Sequence, residues 1–227
     1  PAAARYGSGA AGGVVNIVTK PIPDKLGGSA SVYYQHPQDS RDGGSKRASF
    51  SLAGPISPML GFRVNANIAK TGSDAWDINR GHASTRTGIY RGTFPAGREG
   101  VRNRDIAGRL TWNITPEQRL MFDATYSRQG NIYNGDTQNS NVLVPAVQKV
   151  APLLLGTETA KIYRQNYTLT HNGIWDWGET ESYVSFDKTV NSHLPEGLLG
   201  STEGAYNSTG GFADSILKNY RFGSKAD

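Results

Sequence analysis

Cysteine is absent from the 227 residues, and no apolar run approaches the length of a membrane helix. The first absence excludes a disulfide framework and a thiolate metal site. It leaves export or a surface location open. The second excludes a helical span, which takes about 20 consecutive apolar residues. Histidine is scarce and scattered, at His36, His82, His171 and His193, without H-x-x-H or H-E-x-x-H zinc spacing. No G-x-S-x-G elbow or P-loop is present, so the chain is not read as an enzyme. Paired carboxylates such as Glu179 and Glu181 share a strand face, which is common on wet β surfaces. The net charge is +5, with Lys and Arg scattered rather than in blocks. That suits an anionic ligand or an anionic surface and is too diffuse for nucleic acid. The chain opens at Pro1 without an initiator Met and stops just after a strand-like run. It reads as a piece of a larger protein, so a missing signal peptide says nothing about export.

Glycine is plentiful, at 28 residues. Gly7, Gly9 and Gly12, in GSGAAGGVVNIVTK (7–20), fit the G-x-G-x-x-G spacing of a dinucleotide turn. That fold needs a strand before the glycines and a helix after them. Pro1–Tyr6 is not a buried strand, and Val14–Thr19 is a β-branched run favoured in strands. No acidic residue lies near 32 to 34, where the sequence is Val-Tyr-Tyr. The glycines fit a tight, closely packed turn leading into a strand that stops at Pro21 and Pro23.

Beyond Pro23 the apolar residues recur with period 2. Ala30, Val32 and Tyr34 share one face, as do Ala48, Phe50 and Leu52, then Phe62, Val64, Ala66 and Ile68. Ile106, Leu110, Trp112 and Ile114 follow, then Leu120, Phe122, Ala124 and Tyr126. Tyr163, Tyr167 and Leu169 precede Val184 and Phe186, and Ile216–Phe222 is a weaker eighth candidate. The alternate positions carry Ser, Thr, Asn and charge, including Arg47, Arg63, Arg109, Asp123 and Asp187. This is the signature of strands with one apolar and one polar face. Short turns (54–59, 115–118, 176–179) alternate with long polar segments (72–102, 130–160, 191–215). Short turns at one end and long loops at the other are the pattern of an outer-membrane barrel with a polar interior. A passive porin-like channel and a soluble all-β binding module alternate in the same way. Loops of this length are uncommon in a compact sandwich. The apolar stretch from Val142 to Leu155 interrupts one long loop and fits a short helix or a packed lid.

PAAARYGSGAAGGVVNIVTK (1–20) resembles the end of the plug domain of TonB-dependent outer-membrane receptors. DAWDINRGH (74–82), PAGREGV (95–101), YSRQGNIYNGDTQNSN (126–141), YRQNYTLT (163–170) and LPEGLLGSTEG (194–204) resemble the siderophore receptors of that family, the ferric catecholate (enterobactin-type) branch in particular. The likeness covers essentially the whole chain and is weakest over 142–159. It implies an all-β, antiparallel transmembrane barrel of about 22 strands around a plug. Residues 1–23 are then the end of the plug and its linker, and 24–227 the first seven or eight barrel strands. The implied location is the Gram-negative outer membrane. The implied partners are a ferric catecholate siderophore, TonB through a segment upstream, and outer-membrane lipid and lipopolysaccharide, with no nucleic acid.

The siderophore wraps its iron in its own oxygens, so the resemblance implies no intrinsic cofactor and no protein metal ligand. It carries ligand binding to Tyr90, Tyr133 and Arg164. Arg supplies charge and stacking together, and Tyr a ring with a hydroxyl. His193 is a departure, because the related receptor has Arg in the matching Asn-Ser-Arg stretch. Neutral His attracts an anion less. Each position also has a plainer reading. The tyrosines are then solvated loop residues, and Arg164 pairs with a carboxylate inside the barrel. Arg86, Arg91, Arg98, Arg102 and Arg104 crowd the second long loop, where they steer an anion or hold lipopolysaccharide phosphates. Tyr34, Trp112, Tyr126 and Trp175 are candidates for interfacial girdles or for ordinary packing between strands.

Overall fold

The computed structural model describes residues 23–75, 98–132, 156–193 and 213–226. The glycine segment and Val14–Thr19 lie outside them. The described residues form eight strands: β1 (Gly27–Gln35), β2 (Ser45–Pro55), β3 (Leu60–Thr71), β4 (Gly100–Asn113), β5 (Gln118–Ile132), β6 (Glu158–Trp175), β7 (Gly178–His193) and β8 (Ala213–Ala226). They make one sheet in the order β1 to β8, each strand antiparallel to the next.

The short connections, 56–59, 114–117 and 176–177, all lie at one end, and the long ones at the other. Local chemistry closes the turns. Ser57 Oγ accepts the Leu60 amide at 3.1 Å, and Thr115 Oγ1 accepts the Gln118 amide at 3.1 Å. The two-residue hairpin at 176–177 exits through Gly178, whose φ of 147° disfavours any side chain. The strands run past the apolar alternation at the long-connection end. The loops expected at 72–102, 130–160 and 191–215 are therefore shorter in fact: 72–99, 133–157 and 194–212. Backbone ladder bonds do not need apolar side chains, so polar segments such as Val101–Asp105 and Ser127–Asn131 extend the sheet.

Register decides which residues share a face, since directly opposed residues point the same way. One row reads Leu52, Val64, Gly108, Ala124, Tyr167, Phe186 and Tyr220 across β2 to β8. The next reads Phe62, Leu110, Phe122, Leu169, Val184 and Phe222 across β3 to β8. The apolar positions thus merge into one continuous band. Nothing in the described structure covers it: Val32 is 85% exposed, Ile68 61% and Phe222 76%. Among the described residues only Ala53 and Ile132 are buried apolar residues. That overturns the soluble sandwich, whose apolar faces would meet across a second layer.

The polar face is knitted across the strands instead. Arg109 forms a two-pronged pair with Asp123, at 2.7 and 3.0 Å. Ser49 donates to Asn67 at 3.0 Å, and Asn67 to Asp105 at 3.1 Å. Asn166 donates to Asp187, which also pairs with Arg221. A shallow concavity of about 360 Å³ lies over this face, lined by Ser31, Ser49, Asn65, Asn67, Asp105 and Thr125. Trp112 and Trp175 stand at the short-turn end of the apolar face, with Tyr34 at the other end. These residues stand at the two borders of the apolar band. Tyr126 sits within the band, opposite Ile106.

Two outcomes test this architecture. Phe122→Arg, on the apolar face, should lower folding stability in lipid by roughly 2–4 kcal/mol, whereas Thr125→Arg, on the polar face, should be nearly neutral; reversible urea titration in bilayers measures both. The 227-residue chain expressed alone leaves β1 and β8 paired on one side only. It should aggregate in detergent-free buffer, and a monodisperse soluble monomer by light scattering would contradict the fold.

Candidate functional site

The long-connection end of the polar face is where an incoming ligand would meet the wall. β6 places Arg164 there, between Ser127 of β5 and Thr189 of β7. Arg164 is exposed and has no ion-pair or hydrogen-bond partner among the described residues. The plainer reading of it, a structural pair with an interior carboxylate, finds no support among those residues. Asp105 lies in the same row, but with β5 between them. Two strand spacings of about 4.8 Å hold the two apart. His193 ends β7 on the same face, opposite Ala160. It is four residues from the level of Arg164, or about 13 Å along the strand. Its Nδ1 is buried and has no hydrogen-bond partner among the described residues. The two side chains therefore share a face and an end without touching. Tyr90 and Tyr133 lie outside the described residues, as do Arg86, Arg91 and 142–155.

The arginines expected in the second long loop separate into two groups. Arg102 and Arg104 belong to β4, not to a loop, and they stand on the face of Ile106. They therefore point away from the polar interior, which corrects the expectation that they steer ligand from a loop. Arg102 pairs with Glu158 at 3.0 Å. Glu158 also binds Arg128, whose guanidinium lies 5.5 Å from the centroid of the Tyr163 ring. Gly130 makes room for this cluster, since a Cβ there would sit 2.7 Å from the Glu158 carboxylate.

Arg98 stands at the foot of the second long connection and is committed to Asp74. Asp74 Oδ1 accepts the Gly43 amide at 2.8 Å and Arg98 Nη2 at 3.1 Å, while Oδ2 accepts the Arg98 amide at 2.8 Å. Arg98 Nη2 also donates to the Gly43 carbonyl at 3.0 Å. Asp74 thus ties the β1–β2 connection to both feet of the β3–β4 connection. Beside it, the Arg41 guanidinium hydrogen-bonded to Asp39 holds that carboxyl down to about 2. The partners of Asp74 lie 31 and 24 residues away, so no local spacing announces the knot.

Among the described residues no three His, Cys, Asp or Glu side chains gather to hold a metal. The arrangement is a wall with a free cation on its polar face, an unpartnered apolar band opposite, and long connections gathered at one rim. That defines a stretch of the wall of an outer-membrane β-barrel. No family model matches the chain. The chain is 53% identical to a ferric enterobactin receptor of Pseudomonas aeruginosa over 220 residues, 96% of its own length. It is 49% identical to the ferrienterobactin receptor of Escherichia coli over 230 residues. It spans only 29% and 30% of those two proteins. A crystal structure of a variant of the Pseudomonas aeruginosa ferric enterobactin receptor superposes with a TM-score of 0.83, at 51% identity over all of this chain and 31% of that one. The siderophore receptor PirA of Acinetobacter baumannii gives 0.82 at 45% identity, over 100% of this chain and 31% of that one. By sequence and by fold the chain is homologous, over nearly its whole length, to a stretch of the ferric enterobactin receptors.

Replacing Asp74 by Ala removes the acceptor of three hydrogen bonds, two of them from Arg98. Amide exchange at Gly43 and Arg98 should then quicken roughly tenfold or more, on the scale of a lost charged hydrogen bond, with the exchange of β5 and β6 unchanged. Equal protection in the variant would show that the knot is incidental.

Proposed function

We propose that this chain forms part of a receptor that takes up ferric catecholate siderophores of the enterobactin type across the outer membrane, coupled to TonB. The observation that carries this reading is the match to ferric enterobactin receptors along nearly the whole chain, one of whose variants has been crystallised in complex with enterobactin. The geometry supplies a reason. A ferric catecholate complex is a bulky anion with aromatic rings, and the polar face offers it an uncommitted guanidinium at Arg164. Arg164 contributes charge and planar stacking, Tyr90 and Tyr133 contribute aromatic surface from the long connections, and His193 adds a second contact at the rim. Residues 1–23 are the end of an internal plug and its linker, and 24–227 the first strands of the wall. TonB acts through a segment upstream of Pro1. The apolar band faces lipid, and its border on the long-connection side faces lipopolysaccharide.

In the whole receptor, Arg164→Ala should weaken ferric-enterobactin binding roughly tenfold, the scale of one charge-assisted contact. The thermal unfolding midpoint should not move, because Arg164 has no described partner to lose. Binding followed by tryptophan fluorescence measures the first, and unchanged affinity would remove Arg164 from the site.

A further inference from the structure

On the long-connection half of the polar face the described strands carry two arginines and no lysine: Arg164 on β6 and Arg47 on β2. Neither has an ion pair or hydrogen bond among the described residues. Arg109 and Arg221, on the same face toward the short turns, are both taken by carboxylates. Arg47 is exposed and stands one row nearer the long connections than Arg164. Four strand spacings of about 4.8 Å separate β2 from β6. The two guanidiniums therefore serve points on the order of 20 Å apart along the wall.

Register places Tyr33 of β1 directly opposite Arg47, at a Cβ separation of about 5 Å. Tyr33 is 53% exposed, and its hydroxyl donates to Gln35 Oε1 at 3.3 Å. On the other side of Arg47 the row continues with Ala69, whose methyl leaves the guanidinium uncovered. Two residues nearer the short turns, Ser31 and Ser49 oppose each other and line the hollow of about 360 Å³. Ser49 donates to Asn67, but Ser31 has no hydrogen-bond partner among the described residues. The acid that lines the hollow, Asp105, lies two strands from Arg47 and accepts the Asn67 amide. A ring, an open guanidinium and a spare hydroxyl at the lip of a hollow suit one chemistry, an anion bearing aromatic rings with oxygens at their edge. A lipid head group is the wrong occupant, because these side chains face the polar interior, and Arg47 repels a bare metal ion.

We infer that Tyr33 and Arg47 form a second subsite for a catechol ring of the anionic ferric siderophore, with Ser31 and the hollow receiving the edge of the ring. The inference rests on the receptor reading and adds to it a place on the wall far from Arg164. In the whole receptor, Arg47→Ala should weaken ferric-enterobactin binding roughly three- to tenfold, and Tyr33→Leu about as much. Tyr33→Phe keeps the ring and should stay near wild type. Arg47→Ala/Arg164→Ala should lose about the product of the two single effects, since sites this far apart act independently. A bimane label on Ser51→Cys, one row deeper in the hollow, should be quenched by ferric enterobactin, and adding Arg47→Ala should move the quenching midpoint to higher ligand concentration. The thermal unfolding midpoint should not move in any of these variants. Unchanged affinity in both Arg47→Ala and Tyr33→Leu would overturn the inference. So would a lowered thermal midpoint at unchanged affinity, which would give the pair to a contact with the plug. Failure of wild type to bind ferric enterobactin at all would overturn the receptor reading, and the subsite with it.

Discussion

A backbone amide in hydrocarbon has no water to bond, so every strand that crosses a bilayer must find its partners in neighbouring strands. The unbroken meander from β1 to β8 meets that demand with a single rule, pairing each strand with the next. The period of two does the rest. Once the register is set, Phe62, Leu110, Phe122 and Leu169 fall in line on one side and Arg63, Arg109, Asp123 and Thr168 on the other. A shift of one residue at β4, for example, would put Arg109 among the apolar side chains. The cross-strand ties on the polar face, such as Arg109 with Asp123, help hold the register.

The wall has two sides and two ends, and charge is used differently on each. Inside, most charges are spent on neighbours: Arg109 on Asp123, and Arg221 on Asp187. Arg164, like Arg47, has no carboxylate beside it in its row; its immediate neighbours are Ser127 and Thr189. Outside, cations collect on one border alone. At the rim itself, Asp74 joins Gly43 of the β1–β2 connection to Arg98 at the far foot of the β3–β4 connection.

Much of this was legible in the residues. The alternation from Ala30 to Phe186 located all the strong strands, the short turns marked one end, and the weak run Ile216–Phe222 became the middle of β8. The strand ends were not legible, because Arg102–Asp105 and Lys161 carry no apolar signal beyond the end of the apolar band. Arg102 and Arg104 were misplaced in a loop for that reason. Asp74 and Glu158 were missed because their partners are distant in sequence: Glu158 reaches Arg102 across 56 residues.

The sequence by itself determined the two-faced strands, the sorting of short turns from long connections, and the kinship with siderophore receptors. These depend on local periodicity and on residue identity, which one chain carries in full. Only the tertiary structure decided that the apolar faces have no opposing layer, that Arg164 is left without a carboxylate while Arg109 is not, and that scattered lysines and arginines form one border. Each of those depends on register, which brings together residues tens of positions apart through backbone bonds that do not depend on side-chain identity.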